Sequence, residues 1–185
     1  SLNGQRIFVN RGVSTYETGK ERLAERGTRF HNTVEIDGQD SSEIWSSFRV
    51  ARRAKPFGLQ IQSCGERVEL SCCHDGYKRL QGSPVHKRQW ILDHSSLTLR
   101  DEITGTFETG YAFFNLHSDI SVIDLSSSYA ALKTPHGSLI RFEIDGGILH
   151  RVDGYICHEF GNKVHSETLR ARMNSNLLLT RIRWG

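Results

Sequence analysis

The sequence predicts an all-β fold, a sandwich or a barrel of many short strands with very little helix. Three observations lead there. Asn-Gly or Asp-Gly pairs recur at Asn3-Gly4, Asp37-Gly38, Asp75-Gly76, Asp145-Gly146 and Asp153-Gly154, and such pairs reach the positive φ angles of tight turns. Short alternating or apolar runs lie between them, as expected for strands. A single segment, "ETGKERLAERG" at 17–27, reads as a short charged surface helix ended by Gly27.

The strands follow in order. "RIFV" opens the chain, and "HNTVEI" places Val34 and Ile36 on one face, with His31, Thr33 and Glu35 on the other. "SSFRVARRA", "RVELSCC", "RQWIL" and "SLTLRD" come next, then "GYAFFNLH" and "SVIDL". "SLIRFEIDGGILHRV" reads as a hairpin closed at Asp145-Gly146, and "ETLRARMNSNLLLTRIRW" as a second, turning at Asn174 to Asn176. No linker, low-complexity tract or long repeat divides the 185 residues, so a single domain is expected. Asn3-Gly4 calls for a strand on both sides, yet only Ser1 and Leu2 precede it. The chain is therefore expected to be part of a longer one.

Composition narrows the function. Apolar residues make up 37% and charged residues 24%, with a net charge of +3. That charge is too small to imply nucleic acid, but it suits an acidic partner if the basic residues cluster. No run approaches ~20 apolar residues, so no transmembrane helix is expected, and no leader peptide is visible. Cys64, Cys72, Cys73 and Cys157 form no C-x-x-C pattern and read as free, buried thiols. H-x-H, H-E-x-x-H, G-x-S-x-G and a phosphate-binding glycine loop are all absent. Any site is dispersed, or only part of one lies here.

Three stretches carry candidate chemistry. His31 heads its strand, where an imidazole can bind metal or move a proton, or simply bond to a loop. In "EIWSSFRVARRAK", an extended chain would put Ile44, Phe48 and Val50 on one face and Trp45, Arg49 and Arg53 on the other. Indole stacks on a sugar ring and guanidinium forks hold carboxylate or sulfate; the alternative is cation–π packing under another layer. "CHDGYKRL" gathers His74, Asp75 and Tyr77 around a D-G turn. There His74 and Tyr77 are a potential acid–base pair, or Tyr77 is a surface residue of the turn.

"RFHNTVEIDGQDSSEIW" resembles the C-terminal part of the heparinase II/III-like polysaccharide lyases, and "ARRAK", "HDGYKRL", "RQWIL" and "LLLTRIRW" continue the likeness in order. The resemblance implies a multi-stranded antiparallel β-sandwich, the C-terminal domain of a protein that begins with an α/α toroid. It implies β-elimination of a uronate-containing polysaccharide, whether heparin-like, alginate or a bacterial capsule. Catalytic Tyr and Asn would come from the missing helical domain, and a His-x-His pair from strands before Ser1. Alone, this fragment is expected to be inactive: it would support and line the substrate cleft, the alternative being a non-catalytic glycan-binding or purely structural β-sandwich domain. His31 matches the sandwich histidine that helps bind a structural zinc in several members. Asn10, in "FVNRG", falls where those members place a metal-binding Asp, and Asn brings no charge. Trp45, Arg49, Arg53, His74 and Tyr77 are then the candidate substrate-binding residues, and periplasm or cell surface the implied location.

Overall fold

A computed structural model of the protein describes residues 1–2 and 4–185. Two antiparallel sheets pack face to face. The larger runs β4 (Pro56–Cys64), β5 (Arg67–His74), β6 (Val85–Asp93), β7 (Ser96–Thr104), β14 (Leu177–Trp184), β11 (Leu139–Asp145), β10 (Tyr129–Lys133) and β9 (Ser121–Leu125). The smaller runs β1 (Val34–Ile36), β8 (Gly110–Asn115), β13 (Asn162–Met173) and β12 (Gly147–Glu159). A two-stranded ribbon, β2 (Glu43–Ile44) with β3 (Val50–Arg52), stands apart from both. The expected antiparallel sandwich is thus present, with one short helix, α1 (Lys20–Arg26), whose last turn is followed by Gly27.

Period-two alternation builds the core. Ile140, Phe142 and Ile144 of β11 are buried between exposed neighbours, and Leu178, Thr180 and Ile182 of β14 lie beside them. From the other sheet come Ala112, Phe114, Leu169 and Ala171. Phe114 meets Phe142 edge to face, with ring centroids 4.9 Å apart. Each of these aromatics stabilises the fold by about 3–5 kcal/mol relative to alanine.

Several local expectations are corrected. The two long hairpins are not hairpins. At Asp145-Gly146 the chain leaves the large sheet for the small one, and at Asn174–Asn176 it returns. These two corners touch: Asn174 N–H donates to Gly146 O at 2.9 Å. Gly146 has φ +86°, and a Cβ there would lie 2.5 Å from Leu177 O. A D-G pair fixes the local backbone; it does not determine which sheet receives the next strand. Asp153-Gly154 is no turn either but lies inside β12. There the missing side chain makes room for the Arg11 guanidinium, which a Cβ would approach to 2.3 Å. Asn3 lies outside the described residues.

The stretch from Ile44 to Val50 is not one extended strand, because β2 and β3 are separated by a bend in which Arg49 N–H donates to Ser46 O at 3.2 Å. The expected face is lost, and Phe48 is 59% exposed rather than in the core. Glu35, expected on an open face, is buried and held by two bonds from Arg29, at 2.6 and 2.9 Å. The four cysteines are free, but Cys64 is exposed and the others are half-buried. Among the described residues no helix is long and apolar enough to cross a membrane.

Candidate functional site

His31 follows a single 3₁₀ turn (Thr28–Phe30), and Val34 begins the strand. The histidine therefore sits on the loop before β1, not at its head. Its Nδ1 is 3.1 Å from Asn10 Oδ1. An amide oxygen only accepts, so Nδ1 carries the proton and Nε2 keeps its lone pair. Partial burial lowers the His31 pKa below its ordinary value, against the opposing charge of Asp40. The ring is neutral at pH 7, with one nitrogen available as a base or ligand.

Asn32 holds this pair in place. Its amide donates to Val9 O at 3.1 Å, its Oδ1 accepts the Asn115 N–H at 2.6 Å, and its backbone oxygen accepts from Arg88. Residues flanking both Asn10 and His31 are thus tied to β8 and β6. Arg11, next to Asn10, donates to Asn115 Oδ1 at 3.0 Å and lies over the Phe30 ring at 5.1 Å.

Beneath the loop is a buried charged network. Asp101, fully buried, accepts from Arg88 Nε and Nη2 at 2.7 and 3.0 Å and from His86 Nε2 at 2.7 Å. Burial alone would raise the Asp101 pKa, but the Arg88 charge and the His86 and Arg88 hydrogen bonds outweigh it and hold it at about 2. His74 Nε2 donates to His86 Nδ1 at 3.2 Å, and His74 Nδ1 accepts from Gly76 N–H at 3.3 Å. Burial, reinforced by His86, lowers the His74 pKa to about 4. Both its ring nitrogens are used, so His74 offers no free polar atom to a substrate. Tyr77 is fully buried rather than on the surface, and its hydroxyl donates to Val34 O at 2.7 Å. Burial raises its pKa, so it keeps its proton and is a poor acid. This pair organises the structure under the loop, with Tyr77 buried and His74 half-buried.

A cleft of about 320 Å³ opens beside His31, lined by Asn10, Arg22, Glu25, Arg26 and Phe30 among others. Glu25 is 4% exposed; its Oε1 accepts the Ser14 N–H at 2.9 Å, while Oε2 has no hydrogen-bond partner. Arg22 Nη1 lies 3.9 Å from that oxygen. Trp45 and Arg49 stand outside the cleft, both exposed and stacked on each other with 5.1 Å between guanidinium and ring. Their bend is fastened to α1 by Arg26, which donates to Ser46 O at 3.0 Å. Arg53 is exposed beyond β3. A larger apolar groove of about 490 Å³, which includes Trp90 and Trp184, carries no charged side chain and is unsuited to an anion.

Sequence reasoning missed Asn32, Glu25, Arg88 and Asp101. Asp101 had a signal: it follows Leu97 and Leu99 and precedes Ile103 at period two, a charge in a core position. For metal binding, His31 Nε2 is available, whereas Asn10 Oδ1 is taken up by His31. Among the described residues no three His, Cys, Asp or Glu side chains are placed to hold a metal ion. These donors by themselves do not fit a closed zinc site, which needs four ligands.

The fold is that of an antiparallel β-sandwich domain. The chain belongs to the heparinase II/III-like, C-terminal family, whose model matches residues 1–185. Solved structures agree in fold. The BT4657 gene product, a heparinase III, superposes with a TM-score of 0.77 at 16% identity, over 99% of this chain and 29% of that one. The heparan sulfate lyase HepC of Pedobacter heparinus gives 0.73 at 15%, over 98% of this chain and 29% of the other. This chain thus spans under a third of the length of either. No curated protein matches it.

Proposed function

We propose that this chain is the sandwich domain of a lyase that cuts an acidic, uronate-containing glycan, and that it lines and supports the substrate cleft. The observation that carries the reading is the placement of His31: Asn10 holds its Nδ1, Nε2 keeps its lone pair, and the residue lines a cleft walled by Arg22 and Arg26. Guanidinium groups pair with carboxylate or sulfate. In β-elimination a base takes the proton beside the uronate carboxylate. The freed electron pair becomes a C=C bond, the bond to the glycosidic oxygen breaks, and that oxygen takes a proton. Neutralising the carboxylate makes the first step easier. The proton-removing groups belong, in this reading, to the helical domain of the longer protein. Trp45, Arg49 and Arg53 extend the glycan surface beyond the cleft. A structural zinc in the longer protein would use His31 Nε2 and draw its remaining ligands from outside residues 1–185.

The test is to incubate the complete protein with heparan sulfate, unsulfated heparosan, alginate and neutral dextran, and to follow unsaturated-uronate absorbance. A rise with a uronate polymer supports the reading. Binding without any rise makes the chain part of a glycan-binding protein. Neither binding nor absorbance with any acidic polymer overturns the proposal.

A further inference from the structure

Around α1 the chain exposes more aromatic surface than folding requires. Tyr16, before the helix, is 59% exposed, and Phe160, at the tip joining β12 to β13, is 64% exposed. Their rings stack at 5.1 Å and 16°. Phe48, on the bend between β2 and β3, is equally open. Three distant segments, centred on residues 16, 48 and 160, therefore bring bare rings to one place. Arg22 lies between them, its guanidinium 5.3 Å from the Tyr16 ring and 6.0 Å from the Phe48 ring. The same arginine lines the His31 cleft and faces Glu25.

Two polar atoms at this junction are buried without hydrogen-bond partners, Arg22 Nε and Glu25 Oε2. Orphaned buried polar atoms cost free energy unless something completes them. The donor and the acceptor lie at the same cleft wall, next to ring faces that offer apolar contact. That combination matches a sugar carrying an anionic group: C–H faces against the rings, and carboxylate or sulfate on the guanidinium.

We infer that Tyr16, Phe48, Phe160 and Arg22, the last backed by buried Glu25, form an acidic-sugar subsite at the outer end of the His31 cleft. This rests on the glycan-cleaving reading above and adds where the chain beyond the cleft is held. Trp45 and Arg49, on the same bend as Phe48, continue the surface outward.

The experiment measures binding of size-defined heparosan and heparan sulfate oligosaccharides to the complete protein by calorimetry, with lyase activity and thermal melts on the same samples. Tyr16→Ala and Phe160→Ala remove exposed rings and should leave the melting temperature in place. Each should weaken binding roughly three- to tenfold, the usual range for an aromatic contact. Arg22→Met should weaken it further and flatten its salt dependence, and Arg22→Lys should recover part of the loss. Unchanged affinity in Tyr16→Ala, Phe160→Ala and Arg22→Met, with cleavage intact, overturns this subsite and leaves the lyase reading standing. Melting temperatures that fall while affinity per folded molecule holds overturn it too, because the patch is then packing. No binding of any acidic oligosaccharide by the unmodified protein removes both.

Discussion

Asp101→Asn tests the network under the His31 loop. The wild-type carboxylate takes three charge-assisted or imidazole hydrogen bonds in a site with no exposed surface. The amide has one oxygen, and its NH₂ group must face a donor of Arg88 or His86. Arg88, itself 6% exposed, is left as a buried charge without a counterion. Breaking one side of a buried pair costs about 3–5 kcal/mol. At about 2–4 °C per kcal/mol for a chain of this size, the melting temperature should fall by about 6–20 °C. Removing both charges, in Arg88→Met with Asp101→Leu, takes away the unpaired ion and should recover a good part of that loss. Urea and thermal unfolding of the two variants against wild type give the answer. An Asp101→Asn protein that melts within about 1 °C of wild type would refute the argument. So would a double variant at least as unstable as Asp101→Asn.

Other outcomes follow from the same geometry. His74 has a folded pKa of about 4 against an ordinary 6.5, so between those values the unfolded chain binds more protons. Stability should hold above pH 6.5, fall by up to about 3 kcal/mol on the way to pH 4, and then stop responding to this group. His74→Gln should flatten that slope in urea midpoints taken across the range. Tyr77→Phe removes the donor to buried Val34 O and should cost about 1–2 kcal/mol in urea unfolding without altering the fold. Gly146→Ala, at φ +86° with Leu177 O in the way, should lose about 1–3 kcal/mol. Gly161→Asn, at φ +78° in open space, should melt close to wild type. Phe48→Ala should shift stability by less than about 1 kcal/mol, since the ring is exposed. Arg49→Ala and Arg53→Ala should lower affinity for an acidic glycan several-fold, more at low salt, with unchanged melting.

Local chemistry made the strands legible and left their partners hidden. Alternation in "SLIRFEI" and "LLLTRIRW" marked both strands, which indeed lie side by side in the large sheet. Asp145-Gly146 was identified as a reversal, but a reversal within a sheet and a corner between sheets use the same backbone angles. Only the packing of Phe142 on Phe114 across the sandwich distinguishes them. The site divides in the same way. His31 and Asn10 came from motif position, and the structure does bring their side chains together at 3.1 Å. His74 and Tyr77 looked accessible because a D-G turn is normally at the surface. Here residues 74–80 are overlain by the Ser41 and Val34 segments, with Tyr77 bonded to Val34 O and Arg79 to Ser41 O. Burial of that kind arises from distant chain and leaves no mark on neighbouring residues.

The position of β14 sets the order in which the molecule can be completed. It lies between β7 and β11 and, among the described residues, is the only strand that joins the meander β4–β7 to the meander β9–β11. On a ribosome, each meander can zip as soon as its own turns emerge. Their facing edges then wait with unpaired N–H and C=O groups until residues 177–184 arrive. Such edges recruit strands from other chains. The nascent protein thus passes through a vulnerable interval that ends only when β14 slots home, and a message truncated before Leu177 would yield two half-sheets rather than a smaller sandwich.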